Sequence, residues 1–495
     1  MHAVVRTEQG ALRGARGPDG VAVFRNIPYA APPVGPLRFL PPQPPARWAG
    51  EREAGAAGPT APQVPYAPPL DALLPETTVP GDDYLNLNVW TPDPGARLPV
   101  LVWLHGGAFT NGSGSLPMYD GHALAREGVV VVTLNYRLGA EGFLDLPGVT
   151  PNRGLLDQVA ALTWVRDNIA GFGGACDNVT LFGQSAGAMS IAALLAVPPA
   201  RGLFRRAILQ SGAAHHTHGR PTADLVRARL AEALGVEPTP GAIGAVPVEA
   251  LLAAQQQLRA AVTAQPDPER WGEVALNLMP FEPVVDGEIL RQDPLAAVRA
   301  GSAAGIDLLI GTTTEEFHLY LAPTALLDAV PEAALPHLAA RYGLPREGLA
   351  VYRAGRPGAS PGELAAAVAT DWFYRIPAVR LAEAHARHRS GATYLYEFGW
   401  PSPAFDGRLG ACHAVEVPFV FGALHRPELA PLLGDAPPQH LADAVRTAWA
   451  SFAATGDPGW TPYRPGRRAT RQLDAHPRTV LDPRAAERAA WDGRR

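Results

Sequence analysis

The sequence predicts an α/β fold with a mostly parallel central sheet that is covered by helices on both faces. Short apolar runs rich in β-branched residues alternate along the chain with longer segments of helical periodicity. Continuous apolar strands of this kind are typical of a parallel sheet, because helices pack on both of its faces. The predicted strands are Val100–Leu104, Val129–Leu134, Val179–Phe182, Ala207–Gln210, Leu308–Ile310 and Tyr394–Phe398.

The segments between these strands read as helices. Apolar residues from Leu155 to Ile169 recur at helical spacing, and Asn152 precedes them as a candidate N-cap. This pattern predicts the crossover helix that a parallel strand pair requires. Two Ala- and Leu-rich stretches, at about 221–305 and 321–390, are predicted to be helical insertions that form a lid or gorge wall. We therefore predict a single domain over residues 1–495.

Composition excludes several classes of function. All 42 basic residues are arginine, so the chemistry of a lysine amine, such as a Schiff base or a P-loop lysine, is excluded. The formal net charge is -5 and no basic stripe is present, so no nucleic-acid partner is expected. Cys176 and Cys412 lie far apart without metal-ligand spacing, which favours two free thiols and no metal site. Neither a signal peptide nor a membrane span is visible, and a cytoplasmic location is expected.

Two glycine-containing motifs indicate acyl transfer. In Gly183–Gly187 a β-branched strand runs through G-x-S-x-G directly into an Ala-rich helix, the context in which a strand-to-helix turn exposes a nucleophilic serine. The alternative interpretation of Ser185 is a capping residue at a helix N-terminus. Upstream, a predicted strand is followed by the segment His105–Phe109, with the sequence HGGAF. Its small residues let backbone N–H groups face open space, as an oxyanion hole requires. The N–H of Ala186 is a further candidate donor.

A serine nucleophile needs a base, and the base needs an acid that orients it, in the chain order serine, acid, histidine. Glu315 and Glu316 follow a predicted strand on a loop at its carboxyl end, where sites in parallel sheets gather. The residues alone leave the choice between them open, and an ordinary surface pair of carboxylates is the alternative. His413, on the loop of GACHAVEVPFVFG, is a candidate base among the 14 histidines.

Taken together and in this order, the motifs resemble the type-B carboxylesterase family, the cholinesterase-like branch of the α/β hydrolases. Within that family the chain is most similar to the bacterial para-nitrobenzyl esterases. The resemblance runs from about Val5 to about Asp482 and rests on FRNIPYA, PPVGPLRF, HGGAF, NYRLGAEGFL, NVTLFGQSAG, GTTTEE and CHAVEVPFVFG. It implies an α/β-hydrolase fold and a serine esterase that cleaves small-molecule esters without a metal or other cofactor.

The resemblance also implies roles for individual residues. The implied triad consists of the nucleophile Ser185, the base and acid His413, and the orienting acid Glu316, the second acid of its pair. The other implied site residues are three oxyanion donors and a serine that hydrogen-bonds near the acid and histidine: Gly107, Ala108, Ala186 and Ser211. Two loop-holding ion pairs are implied as well: Arg38 with Asp82, and Arg137 with Asp157.

Some features leave alternatives open. Phe109 and His218 are candidate pocket residues, and the cluster of His215, His216 and His218 is interpreted as a polar pocket wall, with a solvated loop or a metal site as alternatives. Cys412 precedes His413 and is expected to be inert, with thiol sensitivity of the site as the alternative. The same triad would also serve an amide or carbamate hydrolase, and a non-catalytic scaffold is a further use of this fold.

Overall fold

The computed structural model describes residues 2–494. Its strands form one sheet of 13 strands and a second sheet of 2. In chain order the strands are β1 (His2–Arg6), β2 (Ala11–Arg16), β3 (Ala22–Pro28), β4 (Glu51–Glu53), β5 (Asn86–Thr91), β6 (Leu98–Leu104), β7 (Val130–Leu134), β8 (Gly174–Gln184), β9 (Arg206–Gln210), β10 (His218–Gly219), β11 (Val284–Val285), β12 (Asp307–Thr313), β13 (Thr393–Phe398), β14 (Ala469–Leu473) and β15 (Arg478–Leu481).

The large sheet is mixed, with a parallel block at its centre. Its strand order is β1-β2-β3-β5-β7-β6-β8-β9-β12-β13-β14-β15, and β4 pairs with β2. Strands β7, β6, β8, β9, β12, β13 and β14 run parallel to their neighbours in this block. The strands β1, β2, β3, β5 and β15 extend the sheet by antiparallel pairing. All six strands predicted from the sequence lie in the parallel block.

Helices fill the connections between the parallel strands. The longer ones are α1 (Arg153–Asn168), α2 (Ala186–Leu194), α3 (Arg220–Leu234), α4 (Val248–Ala264), α5 (Arg346–Gly355), α6 (Pro361–Thr370), α7 (Ile376–Ala386) and α8 (Gln439–Thr455). Shorter helices are Leu70–Leu73, His122–Arg126, Gly139–Phe143, Pro240–Gly244, Pro268–Trp271, Val274–Asn277, Pro294–Arg299, His318–Leu321, Leu326–Ala329, Leu335–Arg341, Val417–Phe421, Ala430–Leu433 and Ala485–Ala489. Within residues 2–494, no helix combines the length and the apolar character needed to cross a membrane.

The core lies on both faces of the parallel block. Along β6 the side chains of Val100, Val102 and Leu104 pack into one buried apolar cluster. Those of Leu101 and Trp103 pack into a second cluster on the opposite face. Successive side chains of a strand point to opposite faces, so each face is covered by its own apolar layer. This arrangement confirms the fold class that the alternating strands and helices predict.

The crossover helix α1 begins at Arg153, as the apolar spacing predicts, and Asn152 occupies its N-cap position, but the Asn152 side chain makes no capping hydrogen bond. The Asn152 side chain instead exchanges two hydrogen bonds of 2.8 Å with the backbone of Val284 in β11, donating to its carbonyl and accepting from its N–H. The predicted N-cap position is therefore correct, but the capping role of the side chain was wrong, because this amide pairs with a distant strand. Asn152 thus ties the helix to the insertion that follows β9.

Of the two implied ion pairs, one is present. Arg137 and Asp157 are buried and lie 2.7 Å apart, and removing one partner of such a pair costs about 3–5 kcal/mol because the other charge stays buried. The implied pair of Arg38 with Asp82 was wrong. Arg38 Nε donates to Glu141 at 2.8 Å, while Asp82 is exposed. The partner of Arg38 thus comes from the segment after β7.

Candidate active site

Ser185 lies at a sharp turn between β8 and α2. Its backbone adopts φ 54° and ψ -125°, a strained conformation for a residue with a side chain. The two glycines of the motif allow this turn because the chain passes very close to β6. A Cβ atom at Gly183 would lie 2.8 Å from the Leu104 carbonyl oxygen, and one at Gly187 would overlap it. The strand, turn and helix predicted around Ser185 are therefore present.

The HGGAF segment follows β6 and faces the same space. Gly107 has φ 116° and Ala108 has φ 52°, so the chain turns sharply after the strand. Gly107, Ala108 and Ser185 line one cavity. Ala186 is the first residue of α2, so its N–H has no acceptor within the helix. Gly107 and Ala108 thus border the cavity next to Ser185, and Ala186 follows Ser185 with a free N–H at the start of α2.

His105, the histidine of the HGGAF segment, is buried and neutral. Burial lowers its pKa from 6.5 to about 4, and its Nδ1 lies 2.8 Å from the Gly106 carbonyl. Its ring stacks on Tyr136 with centroids 4.4 Å apart. These contacts fix the backbone ahead of Gly107.

Glu316 and His413 form the closest contact between an acid and a base near Ser185. The Nδ1 of His413 lies 2.6 Å from Glu316 Oε2, and the other carboxylate oxygen accepts the N–H of Thr313 at 2.9 Å. The neighbouring Glu315 points elsewhere, and its Oε2 accepts the N–H of Ala411 at 2.7 Å. Of the two candidate acids, Glu316 is the one that the structure places against the histidine.

The second ring nitrogen of His413 contacts a residue that the sequence did not single out. Its Nε2 lies 3.0 Å from the side-chain nitrogen of Gln184, a buried contact. The amide N–H donates to this nitrogen when the imidazole is neutral. The ring of Tyr374 packs against the imidazole with centroids 4.7 Å apart. The observed row is thus Glu316, His413 and Gln184, with Ser185 next to Gln184 in the chain.

Ser185 and His413 open into a cavity of about 550 Å³. Aliphatic and aromatic side chains form most of its wall, among them Leu278, Met279, Phe317, Tyr320, Phe373 and Tyr374. The predicted pocket residues Phe109 and His218 are not part of this wall. Phe109 packs behind it on Phe143, with ring centroids 4.8 Å apart, and His218 is buried with its Nε2 2.9 Å from the Met279 carbonyl. The expectation that they line the pocket was wrong.

Ser211 and Cys412 are both buried beside the site. The resemblance implies a hydrogen bond from Ser211 near the acid and histidine, but its hydroxyl has no partner within residues 2–494, so this expectation was wrong. Burial raises the pKa of the Cys412 thiol well above 9.0. A protonated thiol is a poor nucleophile, which favours the expected inert thiol over thiol sensitivity of the site.

Glu416 is a buried carboxyl on the same segment as His413. Its Oε1 lies 3.4 Å from Gln210 Nε2, and its Oε2 has no partner in the described part of the chain. Burial, helped by the charge of Glu316, raises the pKa of Glu416 from 4.5 to about 8. The sequence analysis missed this residue, although a lone glutamate in the apolar run VEVPFVF was an available signal.

We expect Glu416→Gln to remove a pH dependence of stability. The folded protein holds a proton on Glu416 that the unfolded chain releases above pH 4.5, so the free energy of unfolding falls as pH rises from 4.5 to about 8. Relative to the variant, the wild type should lose up to about 1.4 kcal/mol per pH unit in this window. Urea unfolding across the window measures this difference. Equal pH slopes for both proteins would contradict the buried, protonated state.

The histidines after Ser211 do not form a metal site. Within residues 2–494, no group of three or more histidine, cysteine, aspartate or glutamate side chains has an arrangement that could hold a metal ion. His216 and His218 are buried, so the solvated-loop alternative does not apply to them. The predicted polar pocket wall was wrong for His216 and His218, because these residues lie behind the residues that line the cavity.

Known proteins resemble this chain over nearly its full length. The sequence profile of the carboxylesterase family matches residues 1–489. The para-nitrobenzyl esterase of Bacillus subtilis (strain 168) is 39% identical over 98% of both chains. The phenmedipham hydrolase of Pseudarthrobacter oxydans is 38% identical over 92% of this chain and 90% of that protein. A carboxylesterase structure from Geobacillus stearothermophilus superposes with a TM-score of 0.86 at 39% identity, over 99% of both chains.

The parallel sheet and the strained turn after β8 define an α/β hydrolase. The chain belongs to the carboxylesterase family and is a carboxylic-ester hydrolase. The family, the fold class and the enzyme class predicted from the sequence are therefore confirmed.

Proposed function

We propose that the chain hydrolyses carboxylic esters of small molecules through an acyl-enzyme intermediate, with Ser185 as the nucleophile. Ser185 Oγ attacks the ester carbonyl while His413 Nε2 removes the hydroxyl proton. The resulting imidazolium then protonates the departing alcohol. Water repeats the cycle on the acyl-enzyme, with His413 again as the base, and releases the acid. Glu316 holds Nδ1–H and so keeps Nε2 unprotonated, as a base requires.

The backbone N–H groups of Gly107, Ala108 and Ala186 would hold the oxyanion that forms at the carbonyl oxygen. Each such donor is worth about 3 kcal/mol of the barrier when it is aimed at the developing charge. The strained backbone at Gly107 and Ala108 supports this role, because φ angles of 116° and 52° fix the direction of these amides before substrate enters.

Gln184 would give up its contact with His413 when substrate is present. Its amide N–H occupies the same lone pair that must accept the proton of Ser185, at 3.0 Å. When an ester carbonyl occupies the oxyanion site, the Ser185 hydroxyl must donate a hydrogen bond to His413 Nε2. The Gln184 amide must then break its own hydrogen bond to this nitrogen. We infer that the row Glu316, His413 and Gln184 describes the enzyme without substrate.

The observation that carries the proposal is the contact of 2.6 Å between Glu316 and His413 at the wall of the cavity that Ser185 enters. A fluorophosphonate probe tests it without assuming a substrate, because the probe phosphonylates only an activated serine. We expect stoichiometric labelling, loss of ester turnover in proportion, and a modified peptide containing Ser185. Labelling of another serine with loss of turnover would overturn the assignment.

The domain organisation and the location are also proposals. We propose that the helical insertions, at about 221–305 and 321–390 in the sequence, belong to one catalytic domain and build the wall of its cavity. Leu278 from the first insertion and Phe373 from the second both line that cavity, which supports this view. A cytoplasmic location and the absence of a cofactor remain predictions from the sequence.

A further inference from the structure

Three buried polar side chains, His216, His218 and Glu282, lie behind the cavity wall; we call them the histidine-glutamate cluster. Glu282 is 0% exposed and each histidine is 1% exposed. His218 Nδ1 lies 3.5 Å from Glu282 Oε2, and His216 Nδ1 lies 3.7 Å from Glu282 Oε1. The pairing of β10 with β11, which places His218 opposite Val284, brings the three residues together. One carboxylate thus stands between two imidazoles, away from solvent.

The hydrogen bonds of the cluster define where its protons are. His216 Nε2 lies 2.9 Å from the Phe373 carbonyl, and His218 Nε2 lies 2.9 Å from the Met279 carbonyl. A carbonyl only accepts, so both Nε2 atoms carry hydrogen. If both rings were neutral, both Nδ1 lone pairs would face the Glu282 carboxylate without a proton between them. The arrangement is more favourable when His218 carries a second proton, on the Nδ1 atom that faces Glu282 Oε2 at 3.5 Å.

The groups that face the cluster favour this extra proton. Glu282 faces both rings, and the exposed carboxylate of Glu273 lies 3.9 Å from the same Nδ1 atom of His218. Asn277 Nδ2 donates to Glu282 Oε2 at 3.0 Å. Burial lowers the pKa of His218, but the two carboxylates and the Met279 carbonyl outweigh it and raise the pKa above its ordinary value. The stabilisation is therefore present at low pH and is lost as pH rises through the raised pKa.

The cluster holds two residues of the catalytic cavity. Met279 and Phe373, whose carbonyls accept from the two histidines, both line that cavity. The His216 ring also packs on Phe373 with centroids 4.3 Å apart. Met279 lies between β10 and β11, whereas Phe373 lies just before α7. The cluster thus fastens wall segments from two separate insertions to the loop that follows β9.

We propose that the histidine-glutamate cluster sets the size selectivity of the ester hydrolase by fixing this part of the wall while it holds its extra proton. The inference rests on the ester hydrolysis proposed above. When the proton leaves, Glu282 faces two lone pairs, and this repulsion loosens Met279 and Phe373. The cavity then admits larger groups at higher pH. His216, His218 and Glu282 are positioning residues, since they act only through the wall.

Two series of substrates test this inference: 4-nitrophenyl esters from acetate to octanoate, and acetate esters from ethyl to benzyl alcohol. The ratio of kcat/KM for the largest over the smallest member is measured from about pH 6 to about pH 9. Protonation of the catalytic histidine affects both members equally and cancels in the ratio. We expect the ratio to rise about threefold or more with pH in at least one series. Glu282→Gln should make it independent of pH.

The control is Glu269→Gln, at an exposed residue of the same insertion. This variant should keep the wild-type pH dependence of the ratio.

A second measurement, on the wild type, does not depend on any variant folding. In ¹⁵N-histidine NMR spectra, one imidazolium signal should persist to a pH at which exposed histidines have lost their protons. A ratio that stays flat in both wild-type series, or an unchanged pH dependence in a folded Glu282→Gln protein, overturns the inference. Absence of any ester turnover overturns the proposed function instead.

Discussion

Replacing Ser185 with alanine should lower kcat for short-chain aryl esters about a million-fold, to the background rate. Under the proposed mechanism the variant lacks the oxygen that attacks the carbonyl, so no acyl-enzyme can form. Alanine fills less space than serine at a position that borders the cavity, so the fold should be retained. Steady-state kinetics with 4-nitrophenyl acetate measure the loss, and thermal unfolding checks that the variant is folded.

Ser211 provides a matched control for Ser185. It also follows a strand of the parallel block, has a positive φ of 50°, and carries a hydroxyl that is buried without a partner within residues 2–494. Ser211→Ala should therefore change kcat by less than about tenfold, since no hydrogen bond is lost. Retained turnover in Ser185→Ala, or an equal loss in both variants, would refute the proposed nucleophile.

The features that depend on a few consecutive residues could be predicted from the sequence. Gly183 and Gly187 are required where β8 and α2 approach β6, and this requirement is local enough to be visible as a motif. The predicted strands also follow from local composition, because a strand buried on both faces must be apolar at every position. Local geometry thus determines where Ser185 stands, but not which other side chains reach it.

The failed expectations all concern contacts between distant segments. Arg38 contacts Glu141 and the Val246 carbonyl, and this choice depends on how the insertion after β9 packs. Phe109 and His218 belong to segments that border the cavity, but their side chains point behind the wall, which periodicity cannot reveal. Gln184 was passed over because its contact with His413 joins residues 229 positions apart in the chain. Such partners follow from the packing of segments that are far apart in the chain.

The second large effect is expected at Glu316. The sequence motifs alone could not decide whether Glu315 or Glu316 orients His413. Glu316→Gln should lower kcat on the order of ten-thousand-fold. An amide cannot stabilise the imidazolium as a carboxylate does. Its N–H would also turn toward His413 Nδ1 and move the ring proton to Nε2, where the base needs its lone pair. Steady-state kinetics with the same aryl ester measure this loss.

Glu315→Gln is the matched control, because it makes the same chemical change one residue away. Its carbonyl oxygen can still accept the Ala411 N–H that Glu315 Oε2 accepts at 2.7 Å, and it does not contact the imidazole. We expect kcat to fall by less than about tenfold. If the two variants lose equal activity, the loss reflects damage to the loop that carries both residues and not the orientation of His413. If Glu315→Gln is the more damaging change, the acid of the triad has been assigned to the wrong residue.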